Sequence, residues 1–344
     1  MKPKALLVWL VGGISILAVM AAPVSAEVIK LRLADHNTAM GWGPVNATQP
    51  WVKKVEEACK GKVKIEIYPS QTLVKGPEIW NAVKTGMADI GWCFHGYWAD
   101  MTPLSDVVTL PFLPIPNAEK GSEVLWKLYE KFPAIQNEYK DVQPLMLWTS
   151  SPYFLITTKK QVKTLEDIKG LKIRVVGGPP TEEMKALGAI PTNVAMPETY
   201  LSLERGVLDG MGVPWEAMHG FRLYEVVKYY TMAPLSVVYF SMSMNKAKFD
   251  SLPADVQEAI MSVSREEGAK FFGRNYFDSA EKGVQELIAK GNYSMNQYTL
   301  PSDELARWRK VAGEPIWEAW VKKMEAKGHP EARQILDATL QMLK

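Results

Sequence analysis

The sequence predicts a two-lobed α/β protein in which a cleft separates two mixed sheets, each with helices on both faces. Three observations predict it. Strand and helix patterns alternate along the chain, the same order returns about 120 residues later, and the 344 residues exceed what one core usually holds.

In the first round, residues 28–34 form a β-rich apolar run and 46–59 carry a helical period. Residues 63–68 then alternate, 78–85 are helical again, and 88–94 read as a buried strand. Strands joined through helices pair in parallel and place those helices on both faces. The second round runs through strand 171–176, helix 181–187, strand 190–195, helix 198–205 and strand 207–213. Segments 78–89 and 198–209 superpose directly, with Glu78 on Glu198, Trp80 on Tyr200, Gly86 on Gly206 and Asp89 on Asp209. Glutamate favours the positive start of a helix and glycine closes its end in a left-handed cap. The agreement in register predicts a duplicated lobe.

Chain crossings are expected near 149–151 and 234–244. Lobe I then comprises 27–149 with 240–270, and lobe II comprises 150–239. The amphipathic stretch 253–290 is expected as one long helix bracing both lobes. Helices at 302–327 and 330–343 follow, so that 271–344 packs on both lobes.

The chain begins with the basic Met1-Lys2-Pro3-Lys4, an apolar run over 5–20 and the small-residue motif Val24-Ser25-Ala26. These are the three parts of a secretory signal peptide, with cleavage expected after Ala26. No cysteine near that junction offers a thiol for lipid attachment, so a free periplasmic protein of 318 residues is expected. Its loss of Lys2 and Lys4 leaves 38 basic and 38 acidic side chains. A neutral surface does not suit a nucleic-acid partner, which requires a basic surplus. Cys59 and Cys93 fall at opposite ends of the predicted layer, beyond the Cα separation of about 4.4–6.8 Å that a disulfide spans, and free thiols are expected.

Catalytic patterns are missing from the sequence. There is no Gly-x-Ser-x-Gly, His-Glu-x-x-His, Cys-x-x-Cys or P-loop, and His36, His95, His219 and His329 lack metal-ligand spacing. A monomeric binding protein without cofactor or metal is the expectation, in place of an enzyme. Ligands of doubly wound sheets sit beyond the carboxyl ends of the strands, which selects the loops 35–42, 92–98, 174–180 and 213–218.

Several stretches carry a family resemblance: Leu171-Lys172-Ile173-Arg174-Val175, Ala186-Leu187-Gly188-Ala189-Ile190-Pro191-Thr192, Pro197-Glu198-Thr199-Tyr200-Leu201-Ser202-Leu203, Gly206-Val207-Leu208-Asp209-Gly210 with Pro214, Leu110-Pro111-Phe112-Leu113 and Leu165-Glu166-Asp167-Ile168-Lys169-Gly170. Together they resemble the DctP-type extracytoplasmic receptors of TRAP (tripartite ATP-independent periplasmic) transporters. The resemblance implies a type II-like periplasmic binding-protein fold, a small organic carboxylate as ligand, hinge closure over it and delivery to the transporter's membrane subunits. Delivery to a sensor or chemoreceptor is the alternative that the same fold allows. The resemblance also implies that Arg174 forms a salt bridge with the ligand carboxylate. A charged hydrogen bond of this kind contributes about 1.5–3 kcal/mol, short of the roughly 8 kcal/mol of a micromolar complex.

Aromatic residues are expected to supply the remainder, and there the chain departs from the family pattern. Val213 stands where many members have asparagine, and Tyr153 where many have a further arginine. Losing an amide and a cation disfavours sugar acids and dicarboxylates. Trp215, Tyr153, Phe94, Trp92 and Met196, the last at the family's stacking position, would line an apolar chamber. One buried ring of about 150 Å² contributes near 4 kcal/mol before ordering costs. An aromatic or apolar monocarboxylate is therefore the expected ligand. His36, Asn37 and His95 are expected to meet a second polar group, such as a 2-oxo or 2-hydroxyl oxygen, with Trp42 at the rim.

Overall fold

The computed structural model describes residues 27–344, and the expected signal peptide lies outside them. Along the chain the strands are β1 (Ile29–Ala34), β2 (Val63–Tyr68), β3 (Ile90–Phe94), β4 (Val142–Thr149), β5 (Phe154–Thr157), β6 (Lys172–Val175), β7 (Ile190–Asn193), β8 (Gly210–Val213), β9 (Tyr229–Met232), β10 (Tyr239–Asn245) and β11 (Asn296–Thr299). They form one sheet in the order β2-β1-β3-β10-β4 and a second in the order β11-β9-β5-β8-β6-β7. In each, a parallel trio is closed by an antiparallel neighbour, β10 beside β3 and β5 beside β8. That neighbour is in both cases a strand that has just crossed from the other lobe, which makes both sheets mixed.

The duplicated segments share hydrogen bonds as well as residues. Each helix ends at a glycine with positive φ, Gly86 at 79° and Gly206 at 71°. Ala88 N–H then donates to Ala82 O at 3.0 Å, and Leu208 N–H to Ser202 O at 3.0 Å. The aspartates explain their shared position. Asp89 Oδ2 accepts from Arg32 N–H at 2.8 Å, and Asp209 Oδ2 accepts from Lys172 N–H at 2.9 Å. Each carboxylate thus binds a strand N–H at the edge of the parallel pairing, part-buried at Arg32 and exposed at Lys172.

Two expected helices are interrupted. The stretch 253–290 divides into Ala254–Ser262, Arg265–Phe272, a π-helical segment Gly273–Asp278 and Ala280–Lys290. The first break is at Ser264, whose Oγ donates to Ile260 O at 2.7 Å and lies 3.3 Å from the Trp51 indole nitrogen, competing with the helix ladder. The stretch 302–327 divides at Gly313 into Ser302–Ala312 and Glu314–Ala326, because Pro315 lacks the N–H needed inside a helix but suits its first turn. Segment 265–290 still runs from one lobe to the other, with Phe272 and Tyr276 in the core of the first and Val284 and Ile288 in that of the second. Cys59 and Cys93 are both buried and unpaired. Among the described residues, no helix is long and apolar enough to cross a membrane.

Candidate functional site

Strand alternation sets Arg174. Ile173 and Val175 point into one core of lobe II, which turns Arg174 to the opposite face, beside Thr192 and Met211 on the neighbouring strands. The side chain is 4% exposed. Its Nε donates to Val194 O at 3.0 Å, while the buried Nη2 has no partner. Burial draws its pKa below the ordinary value, against the attraction of Tyr97 and Tyr153. A desolvated cation with an unused donor is destabilising by several kcal/mol unless an anion meets it.

Lobe I contributes an aromatic wall. Tyr97 OH accepts from Met196 N–H at 3.0 Å and lies 3.4 Å from His36 Nδ1. The His36 ring sits 5.0 Å from Trp92, 5.7 Å from Tyr97 and 6.2 Å from Phe221. Burial, with the Arg174 charge second, lowers its pKa to about 3 and keeps it neutral. Trp92 packs on Phe240 at 4.6 Å and leaves its indole N–H unpaired, and Phe94 packs on Tyr97 at 4.8 Å.

At the hinge, Tyr153 is bonded to the returning strand. Its N–H donates to Ser236 O at 3.3 Å and its carbonyl accepts from Leu235 N–H at 3.0 Å. Burial raises its phenol pKa, opposed by the Arg174 charge. Behind it, Glu183 accepts Ser236 Oγ–H at 2.6 Å, with burial raising its carboxyl to about 7. The lobes meet where Gly177 N–H donates to Gly96 O at 3.0 Å.

Arg174, His36, Trp92, Phe94 and Tyr153 are thus brought together, Met196 borders them through its N–H on Tyr97 OH, and the remaining expected residues lie elsewhere. His95 is a core histidine. Its Nδ1 pairs with Thr102 Oγ1 at 3.0 Å, its Nε2 with Ser241 Oγ at 2.9 Å, and its ring stacks on Tyr239 at 4.7 Å, leaving no nitrogen for a ligand. Asn37 uses N–H and Nδ2 on Asp35 Oδ1, at 2.8 and 2.7 Å, and so orients Asp35. Trp215 packs inside lobe II on Phe154 at 4.6 Å and Tyr230 at 5.3 Å, although its indole N–H is unpaired. Val213 is fully buried on β8, and Met196 lies in the same core. Trp42, expected at the rim, clasps the bridging helix, donating to Ser279 Oγ at 2.9 Å with its ring laid on Gly283.

Sequence reasoning missed Tyr97, Asp35, Glu216 and Tyr276. The first three fall within the selected loops, but nothing local distinguished them. Tyr276 enters from the bridging helix. Asp35 of lobe I and Glu216 of lobe II are both buried and close enough to interact. Desolvation raises Asp35 to about 7, and desolvation followed by Asp35's charge raises Glu216 to about 8. Between the lobes a cleft of about 430 Å³ remains open, with His36, Thr38, Tyr200, Phe221 and Arg222 at its walls. Among the described residues, no group of three or more His, Cys, Asp or Glu is placed to hold a metal.

Two duplicated α/β lobes, linked by crossing strands and closed on an unpaired buried arginine with aromatic neighbours, define a solute-binding clamp. Residues 36–324 match the DctP model, described as bacterial extracellular solute-binding protein, family 7. The chain belongs to that family. It is similar to a TRAP solute-binding protein from Rhodoferax ferrireducens T118, solved with copurified benzoate: 27% identity, 92% of this chain and 98% of that one covered, TM-score 0.86. It is similar also to a TRAP solute-binding protein from an unidentified marine microbe, specific for aromatic acid ligands and solved with 3-hydroxybenzoate: 28% identity, the same coverage, TM-score 0.86. The C4-dicarboxylate-binding periplasmic protein DctP of Rhodobacter capsulatus shares 25% identity over 90% of this chain and 92% of its own.

Proposed function

We propose that this protein is the periplasmic receptor of a TRAP transporter and captures an aromatic monocarboxylate between its closing lobes. The observation that carries the reading is Arg174, a buried guanidinium whose Nη2 has no partner, within electrostatic reach of the rings of Tyr97, Tyr153 and His36. A ligand carboxylate supplies the missing anion, and the rings of Trp92, Phe94, Tyr97 and His36 take the apolar body. The benzoate and 3-hydroxybenzoate held by the two solved relatives support that ligand class. Signal-peptide cleavage after Ala26 would deliver the mature chain to the periplasm.

The mechanism follows from where the parts lie. Arg174 belongs to lobe II and the aromatic wall to lobe I, so a ligand bridging them binds the closed form better than the open one. It therefore draws the population towards closure, and the closed surface is what the membrane subunits recognise. A thermal-shift screen of aromatic acids, sugar acids and C4-dicarboxylates on the mature protein tests the reading. The expected result is stabilisation by benzoate or its derivatives. Stabilisation by sugar acids or dicarboxylates alone would contradict it.

A further inference from the structure

A chain of aromatic contacts leads from His36, which lies within electrostatic reach of Arg174, along the lobe I wall to a second polar cluster. His36 packs on Trp92, and Trp92 packs on Tyr276 at 5.7 Å. The Tyr276 ring lies on Gly43 so closely that a Cβ there would overlap it. The Gly43 backbone N–H faces the Glu216 carboxyl. Glu216 comes from lobe II and interacts with Asp35 of lobe I, and the two are 4% and 2% exposed. Tyr276 feels both carboxyls, is fully buried and has no partner for its hydroxyl. Tyr153 is within electrostatic reach of both Arg174 and Glu216.

We propose that Asp35, Glu216 and Tyr276 form a second polar subsite between the lobes, taking a hydroxyl carried on the ring of the aromatic acid anchored at Arg174. The proposal rests on the carboxylate reading of Arg174. A hydroxyl fits because it donates to a carboxyl oxygen while accepting from the Tyr276 hydroxyl, giving a buried and otherwise unpaired group its partner. An apolar ring edge would leave that group unsatisfied. A second carboxylate would meet two acidic groups in a desolvated site, so the same cluster rejects dicarboxylates. Asn37 fixes Asp35 through two bonds to Oδ1. The raised pKa values of Asp35 and Glu216 mean that the pair retains a proton near neutrality and can donate as well as accept.

The test is calorimetric titration of the mature chain with benzoate, 3- and 4-hydroxybenzoate and the two matching methoxybenzoates. One hydroxybenzoate is expected to bind at least tenfold more tightly than benzoate, with its methoxy counterpart losing that gain. Glu216→Gln and Tyr276→Phe should each reduce the hydroxybenzoate-to-benzoate ratio to threefold or less. Tyr276→Phe removes a single oxygen, and circular dichroism establishes that each variant is folded. Equal binding of benzoate and both hydroxybenzoates by the unmutated protein overturns the subsite, a result that needs no variant. A ratio untouched in both variants overturns it too. If no aromatic acid binds, the Arg174 reading itself fails, which is a distinguishable outcome.

Discussion

Gly96 and Gly177, one from each lobe, are joined by a backbone hydrogen bond of 3.0 Å from the Gly177 amide to the Gly96 carbonyl. A Cβ on Gly96 would lie 2.7 Å from Phe94 Cζ and 2.8 Å from Val176 Cβ, and one on Gly177 would overlap Ala99. These glycines permit the lobes to close over Arg174, since β3 and β6 lead directly into them.

Alanine at position 96 or 177 should therefore act on closure more than on folding. We expect about tenfold weaker ligand binding, a larger radius of gyration by small-angle scattering with ligand present, and a ligand-free unfolding midpoint within a few degrees of the parent. Undiminished affinity in both variants would show that this contact does not govern closure.

The buried acids predict how stability depends on pH. Burial raises Asp35, Glu138 and Glu183 to about 7 and Glu216 to about 8, so the native protein retains protons that the unfolded chain has released. A raised carboxyl favours the native state fully only below its ordinary range, and that contribution is lost as pH rises through 7 to 8. His36 and His95, both lowered to about 3, act in the opposite direction, but only below the ordinary histidine value near 6.5. Between pH 6.5 and 8.5 the acids outweigh the histidines, whose opposing contribution fades within about one pH unit of 6.5. The unfolding midpoint should fall across that interval, and Glu216→Gln should flatten the fall. A midpoint that rises over the interval would contradict the assignment.

The duplicated aspartates should act in the same way but to different extents. Asp89→Ala and Asp209→Ala each remove the acceptor of a strand N–H, at 2.8 and 2.9 Å; the first is expected to destabilise by about 1–3 kcal/mol and the second, at an exposed N–H, by about 0.5–1.5 kcal/mol. Asp89→Ala should be the more severe, because its Oδ2 also accepts from Arg32 Nε at 3.1 Å. Chemical denaturation measures both. A negligible effect at either position would deny the capping role.

The repeat was legible because it is written in local chemistry. Gly86 and Gly206 end helices, Glu78 and Glu198 start them, and the spacing between them survives intact. The strand-end position of Arg174 was legible for the same reason. The helix break at Ser264 was not, since it depends on a bond between Oγ and Ile260 O and on Trp51, more than 200 residues earlier. His95 read as a cleft residue from its loop, yet its two partners come from Thr102 and from Ser241 on the crossing strand. Trp215 also followed a cleft strand, but Phe154 and Tyr230 draw its ring into the lobe II core. Asp35 and Glu216 sit in loops correctly chosen from sequence, while their meeting across the cleft exists only once the lobes are placed together.

The most direct test of the central claim is calorimetry of benzoate binding to Arg174→Met against the unmutated protein. Removing an unpaired buried charge should leave the ligand-free protein folded and at least as heat-stable, while affinity falls about 10- to 150-fold, the equivalent of one charged hydrogen bond. Unchanged affinity in a folded Arg174→Met protein would contradict the account.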